Sequence, residues 1–468
     1  MVLKRFIGDR LFYRRLIALS LPIMIQNLIT NFVNMLDNIM VGQVGTSEAT
    51  GVTIANQLIF VFTLCIFGSV SGAGIFGAQF FGKGDHKGVR DTFRFKLLFG
   101  VFITVAAILL FVFAGESMIS SFLNGEGTVE NAAASLSSGY SYLLIMLIGI
   151  IPYTIVQCYS SSLRETAKAT PPMVAGVIAV FVNLVLNYVL IFGHFGAPAL
   201  GVQGAAAATV ISRFAELLIV VIWTHKNSAK NKFIVGAYRS FKIPVSLIKQ
   251  IAIKGLPLML NETFWSFGMT VLMQCYSVRG QDVVFAVGIA NTFFSVFGVA
   301  FMSVGVSIGI ILGQMLGSGE KDNVLEASRK MIAFSFAVSI VFSAAYALMA
   351  GIIPEFYNTD ESTKQLAARL MRVCAIAMPL DALVNAAYFT LRSGGKTMIT
   401  IIFDCGFVWT ITVPAAFILS RFTDIPAVPL YAVCQFVNII KVVLGIIFVE
   451  RGSWIKNLVN CKSQEKYN

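Results

Sequence analysis

Charge is what this chain has least of. Only 12% of its 468 residues are Asp, Glu, Lys or Arg, while 57% are hydrophobic and the mean hydropathy is +0.80. Soluble domains carry about 25% charged residues, so a water-facing surface for a chain this long cannot be assembled from these. Histidine is scarce too: His86, His194 and His225 each stand alone in helix ends or loops. Seven cysteines are scattered through the sequence with no metal-ligand spacing and no disulfide pattern. No carboxylate pair shares a helix in the manner of an acid/base couple. These absences argue against a metal centre, a His- or Cys-based catalytic cluster and a secreted disulfide scaffold. We expect no enzyme and no cofactor. The net charge of +12 is not a nucleic-acid footprint, because the basic residues lie in short segments between apolar runs.

Those apolar runs are what the chain has in abundance. Crossing a bilayer takes about 20 apolar residues in a helix. Twelve such segments are predicted near 16–42, 50–81, 94–115, 134–162, 171–193, 200–225, 247–278, 283–315, 327–352, 364–391, 397–420 and 426–449. The first is too long for a signal-peptide core and has no small-residue cleavage site after it, so it counts as helix 1. Pro22, Pro152, Pro257 and Pro379 fall inside helices, which membrane bundles tolerate when neighbours satisfy the freed backbone groups. The basic stretch "HKNSAKNKFIVGAYRSFK" (225–242) is the one long polar connection and reads as a hinge. The expected organisation is an N-terminal lobe over 1–227, a cytoplasmic linker over 228–246, a C-terminal lobe over 247–450 and a cytoplasmic tail over 451–468.

Lys and Arg sort by side. The N-terminal arm, alternate loops and the tail hold 28 of the 35, and the opposite loops hold five. Basic residues are retained in the cytoplasm, so both termini are expected inside a multi-pass protein of the cytoplasmic membrane.

The two halves repeat each other. An offset of 235 carries Leu21-Pro22 onto Leu256-Pro257, Ile54-Ala55-Asn56 onto Ile289-Ala290-Asn291 and Gly74 onto Gly309. The same offset carries Gln79 onto Gln314 and Gly82 onto Gly317, and Leu163-Arg164 recurs as Leu391-Arg392 at an offset of 228. Six helices separate the copies, so both enter from the same side. The fold class expected is therefore an all-α polytopic membrane protein, with two six-helix bundles related by a pseudo-two-fold axis along the membrane normal.

Five acids fall within apolar spans: Asp37, Glu216, Glu262, Asp381 and Asp404. A carboxylate at the middle of a span costs about 2.5–3.5 kcal/mol on insertion scales, so such groups tend to face inward and to act. Glu216 lies one turn after Arg213, and a local ion pair accounts for it. Lys441 either snorkels or pairs with an acid. Asn183 and Asn187, at i and i+4, share a face of helix 5. Their amides can supply oxygens to a small cation, or they can serve as interhelical packing bonds. Gly305, Gly309, Gly313 and Gly317 form a stripe that allows close helix contact.

In "LPIMIQNLITNFVNMLDNIMVGQVG", "NLVLNYVLIFG", "GVQGAAAAT" and "LRSGGKT" the chain resembles the multidrug and toxic compound extrusion (MATE) family, within a larger group that includes lipid-linked oligosaccharide flippases. The resemblance spans nearly the whole chain. It implies a twelve-helix, two-lobed antiporter that expels cationic amphipathic drugs against entering Na+ or H+. By the same resemblance Asp37 matches the helix 1 aspartate on which cation coupling depends, with Asn183, Asn187 and Thr209 beside it. Na+, if it is the coupling ion, would sit at Asp37, Asn183 and Asn187. In the second lobe the candidates for cation or substrate are Glu262, Asp381, Asp404 and Trp265. Asp381 matches the helix 10 aspartate of the sodium-coupled branch. That branch's helix 7 glutamate falls here on Trp265, while Glu262 lies one turn earlier on roughly the same face.

The partners expected are small cationic drugs, held against Trp, Phe and the Met side chains of helices 1 and 7, and membrane lipid. No nucleic acid and no second subunit are expected. The alternative is a flippase for lipid-linked oligosaccharide or peptidoglycan precursors. An anionic headgroup would ask for several bases at membrane depth, where only Arg213 and Lys441 lie.

Overall fold

The computed structural model describes residues 6–123, 129–357 and 359–460. Cys461 and the rest of the tail lie outside the described residues. Twelve long helices run through it: α1 Arg10–Gly42, α2 Thr46–Gly82, α3 His86–Leu123, α4 Val129–Glu165, α5 Thr170–Phe192 and α6 Gly201–Lys226 in the first half. In the second half come α7 Val245–Ser277, α8 Gln281–Ser318, α9 Lys321–Met349 and α10 Glu361–Ser393, then α11 Thr397–Phe422 and α12 Ala427–Glu450. Among the described residues, eleven of these are long and apolar enough to cross a membrane. The remaining one, α7, is as long as the others but is diluted by Lys249, Lys254, Asn261 and Glu262.

Local sequence sets the helix ends. Pro171 and Pro172 open α5, where the missing amide costs nothing. Gly193 closes it in the left-handed region, φ 75°, its N–H bonded to the Val189 carbonyl. Pro22, Pro152, Pro257 and Pro379 all stay within helices.

Several helices run longer than the hydropathy pattern indicated. α3 starts at His86 rather than 94, and α4 continues to Glu165 rather than 162. The extra turns hold the acids Asp91 and Glu165, each buried against a base at the start of the apolar run of α3. Lys96 donates to both Glu165 oxygens at 2.6 and 2.7 Å and to the Ser162 hydroxyl at 3.2 Å. Arg94 binds Asp91 at 3.0 Å and the main-chain carbonyls of Gly236 and Ala237 at 2.8 Å each.

The last two spans depart from regular α-helix. Residues 402–406 and 408–412 of α11 form π turns just ahead of Pro414. There the proline removes one amide donor and crowds the carbonyl four residues back. α12 is interrupted at Val437, between Ala427–Phe436 and Asn438–Glu450.

Contacts divide the chain into two compact units, neither of them a single stretch of sequence. One comprises 25–77 and 86–251, the other 1–24, 78–85 and 252–468. In the first, α6 packs on α4 and α5, and α3 on α4. The connection after α6 is folded down onto this unit: Phe233, Ile234 and Ala237 are buried, and Phe233 meets Phe93 edge-on. In the second, α10 packs on α8, α9 and α12. Its core holds Tyr276, Tyr346, Met371 and Leu430, with the Tyr346 hydroxyl donating to the Ala290 carbonyl at 2.8 Å.

Candidate functional site

Within the first unit, α1, α5 and α6 bring Asp37, Asn183, Asn187 and Thr209 together. Asn187 Nδ2 donates to Asp37 Oδ1 at 2.5 Å. The Asn183 amide is satisfied when its nitrogen donates to both Asp37 oxygens at 3.0 Å and its oxygen accepts from the Thr209 hydroxyl at 3.2 Å. Both asparagines are buried, because the i, i+4 spacing points them the same way into the bundle. The carboxylate thus takes its bonds from neutral donors, and no ion pair reaches it among the described residues.

One atom in the cluster is left over. Asn187 Oδ1 is buried and has no donor. Buried acceptors are rarely left so. The side chains of the cluster carry oxygen donors, the Asp37 carboxylate, two amide carbonyls and the Thr209 hydroxyl, the chemistry that suits a hard cation. A carboxylate held by neutral groups equally suits a proton.

The other acid of this unit is differently placed. Glu216 binds Arg213 at 3.1 Å, and the guanidinium lies 5.2 Å from the centre of the Tyr153 ring. The local pair expected from the i, i+3 spacing is formed.

The second unit places its candidates in three settings. Asp404, on a π turn of α11, is ion-paired to Lys441 of α12. Asn261 Nδ2 donates to its other oxygen at 3.1 Å, while Asn261 Oδ1 accepts from the Cys405 N–H at 3.3 Å. The widened helix exposes that amide, and the asparagine of α7 satisfies it. Lys441 also lies 5.5 Å from the Phe403 ring centre. Glu262 accepts from the Tyr388 hydroxyl, at 3.4 Å, and Asp381 from Asn438 Nδ2, at 3.1 Å. Trp265 is 36% exposed and joins none of these bonds.

Sequence reasoning passed over Asn261, Tyr388 and Asn438, the neutral partners of these acids. The signal was present for Asn261: an amide beside Glu262 in mid-span. Among the described residues no group of three or more His, Cys, Asp or Glu forms a metal site.

The family model described as MatE matches residues 22–189 and 257–418. The chain is 25% identical to a probable multidrug resistance protein NorM of Thermotoga maritima, over 97% of this chain and 95% of that protein. It is 26% identical to the multidrug resistance protein MdtK of Pectobacterium atrosepticum, with 88% of each covered. Among solved structures, an outward-facing multidrug resistance MATE family transporter of the MOP superfamily superposes with a TM-score of 0.86, covering 97% of this chain and 98% of that one at 19% identity. A MOP superfamily transporter from Pyrococcus furiosus, whose binding pocket is described as reversed in polarity, gives 0.83 over 97% and 98% at 19% identity. At that identity these likenesses speak for the fold.

Proposed function

The chain belongs to the MatE family, which makes it a membrane transporter and not an enzyme, and from that premise we propose that it exports cationic amphipathic drugs in exchange for entering Na+ or H+. What carries this reading is how the charges inside the spans are sorted. Within the spans Lys96, Arg213 and Lys441 each bridge an acid, while Arg164 donates to Gln26 and Arg392, buried near the end of α10, lies over the Phe389 ring. Among the described residues three carboxylates, Asp37, Glu262 and Asp381, take their hydrogen bonds from neutral amides and a hydroxyl. Carboxylates held in this way at mid-span attract cations.

The exchange follows from electrostatics at one group. Asp37, unloaded, is a negative charge in a medium of low dielectric and draws a hydrophobic cation. Once Na+ or H+ enters from outside and binds there, with Asn183, Asn187 and Thr209 contributing, the charge is cancelled and the attraction ends. Drug and ion are then alternatives at one charge, the condition for antiport. Neutralisation at this point is a local event able to bias a two-state bundle. A charge crossing 100 mV supplies about 2.3 kcal/mol. In this reading the termini lie in the cytoplasm, with the basic segments. The flippase alternative asks for several free bases at membrane depth, and Arg213 and Lys441 are each engaged by an acid.

Proteoliposomes loaded with ethidium test the proposal. An imposed inward sodium or proton gradient is expected to drive ethidium out, and the gradient that works names the ion. Transport indifferent to both gradients would sink the antiport reading.

A further inference from the structure

Apart from the acids of the spans, the second unit carries a separate cleft. The first turns of α1, the end of α8 and the start of α9 enclose a volume of about 740 Å³, within the roughly 300–1,000 Å³ typical of small-molecule pockets. Its inner wall is apolar: Phe12, Ile311, Met315 and Met331. Its rim is charged and balanced, with Arg14, Arg15 and Lys330 against Asp9, Glu320 and Glu326.

The rim charges are unequally engaged. Lys330 and Glu326 pair at 2.6 Å, Arg15 donates to Gln314 Oε1 at 2.8 Å, and Asp9 accepts from the Phe12 N–H at 2.8 Å. Glu320 accepts from the Ser318 hydroxyl at 3.0 Å. Arg14 meets no acceptor among the described residues, and it and Glu320 are both exposed. The chain leading in exposes Phe6, Ile7 and Leu11, interleaved with Arg10 and Arg14. Apolar side chains exposed beside arginines at the start of a span belong at the headgroup level of a bilayer, where the first group meets acyl chains and the second phosphates.

We propose that this cleft holds a zwitterionic phospholipid with a primary-amine headgroup. The phosphate meets Arg14, the ammonium meets Glu320 and Asp9, and the acyl chain lies on Phe12 and Met315. Charge balance selects the headgroup. Three acids on the rim disfavour a purely anionic lipid, and a quaternary choline has no N–H to donate to a carboxylate. The inference stands on the cleft and on the protein's place in a membrane, and it is independent of what is exported.

Native mass spectrometry of the delipidated protein, titrated separately with dioleoyl phosphatidylethanolamine, phosphatidylglycerol and phosphatidylcholine, tests it. Phosphatidylethanolamine is expected to stay bound at collision energies that strip the other two. Arg14→Ala and Glu320→Gln should each weaken that adduct about tenfold or more, the scale of one charge-assisted hydrogen bond. Met315→Trp, which fills the apolar floor, should weaken it as well. Both charged positions are exposed, so the fold survives these changes. Equal retention of the three lipids, preference for phosphatidylglycerol, or an adduct unmoved by all three variants would overturn the proposal.

Discussion

Ala78 and Gly313 occupy equivalent places in the two halves of the repeat, and they meet each other: a Cβ added to Gly313 would stand 3.0 Å from that of Ala78. Four residues further along, the contacts are exchanged. Gly82 lies against the main chain of Gln314, and Gly317 against the main chain of Gln79. Residue i touching j′ while j touches i′ is what a two-fold relation produces. The local axis therefore passes between Ala78 and Gly313, where α2 and α8 end. These glycines are needed for closeness, since each faces backbone that a side chain would have to displace.

Gly317→Ala should accordingly separate these two helix ends. Overpacking of this kind costs about 1–3 kcal/mol, enough to move a balanced two-state equilibrium strongly to one side. Spin labels at positions 83 and 318, both exposed, would report it. A distance distribution shifted to longer values is expected, together with slower transport. Identical distributions in the variant and the parent would show that the contact does not matter.

Two acids of the first unit should behave in opposite ways. Asp37→Asn is expected to bring drug efflux down to the level of cells without the protein, at normal abundance in the membrane. Asn187→Ala, which removes a hydrogen bond to a charged group worth about 1.5–3 kcal/mol, should slow ion-driven transport by roughly tenfold to a hundredfold. Glu216→Gln leaves Arg213 without its ion-pair partner, so thermal stability should fall while the dependence on the driving ion stays as it was. Loss of ion dependence in the Glu216 variant, with Asp37→Asn still active, would reverse the assignment.

The Asp404–Lys441 pair is buried on the lysine side, with the side chains 21% and 7% exposed. Lys441→Met alone leaves a carboxylate in the bundle without its countercharge, a change that costs about 3–5 kcal/mol in buried pairs. The double variant Asp404→Asn with Lys441→Met removes both charges and should recover most of that loss. Melting temperatures in detergent for the two singles and the double close the cycle. If the double variant melts as low as the sum of the singles, the pair is not coupled.

The architecture was legible because its signals are local or periodic. Apolar length gave the spans, and the offset of 235 gave the two-fold relation that Ala78 and Gly313 now display. Asn183 and Asn187 could be placed on one face by spacing alone. What stayed hidden depends on partners far along the chain. Lys96 reads as a loop charge until Glu165, 69 positions later, is seen beside it. Asp404 looks like a free acid until Lys441 reaches it. Phe233 and Ile234 sit in a basic linker that reads as solvated, yet Arg94 holds its carbonyls and the rings pack on α3. The π turns of α11 had one visible cause, Pro414, but not their extent.

The chain after α12 carries the last prediction. Trp454 is fully buried, its indole donating to the Val449 carbonyl at 2.9 Å, and its own carbonyl lies against Gly394 between α10 and α11. Just beyond it, Gln79 at the end of α2 grips the tail twice: its amide donates to the Lys456 carbonyl at 3.2 Å and its oxygen accepts from the Leu458 N–H at 2.7 Å. Asn457 donates to the Leu316 carbonyl of α8 at 2.8 Å. The tail thus binds the end of α2, the end of α8 and the α10–α11 turn at once, around the contact that Ala78 and Gly313 mark. Trp454→Ala should remove about 3–5 kcal/mol of packing and lower the melting temperature. Truncation after Arg451 should do more: without the Gln79 and Asn457 bonds, the 83–318 label pair should sample long distances even with both glycines intact. Truncated protein that melts like the full chain and keeps the short distance would mean that the helix ends hold each other without the tail.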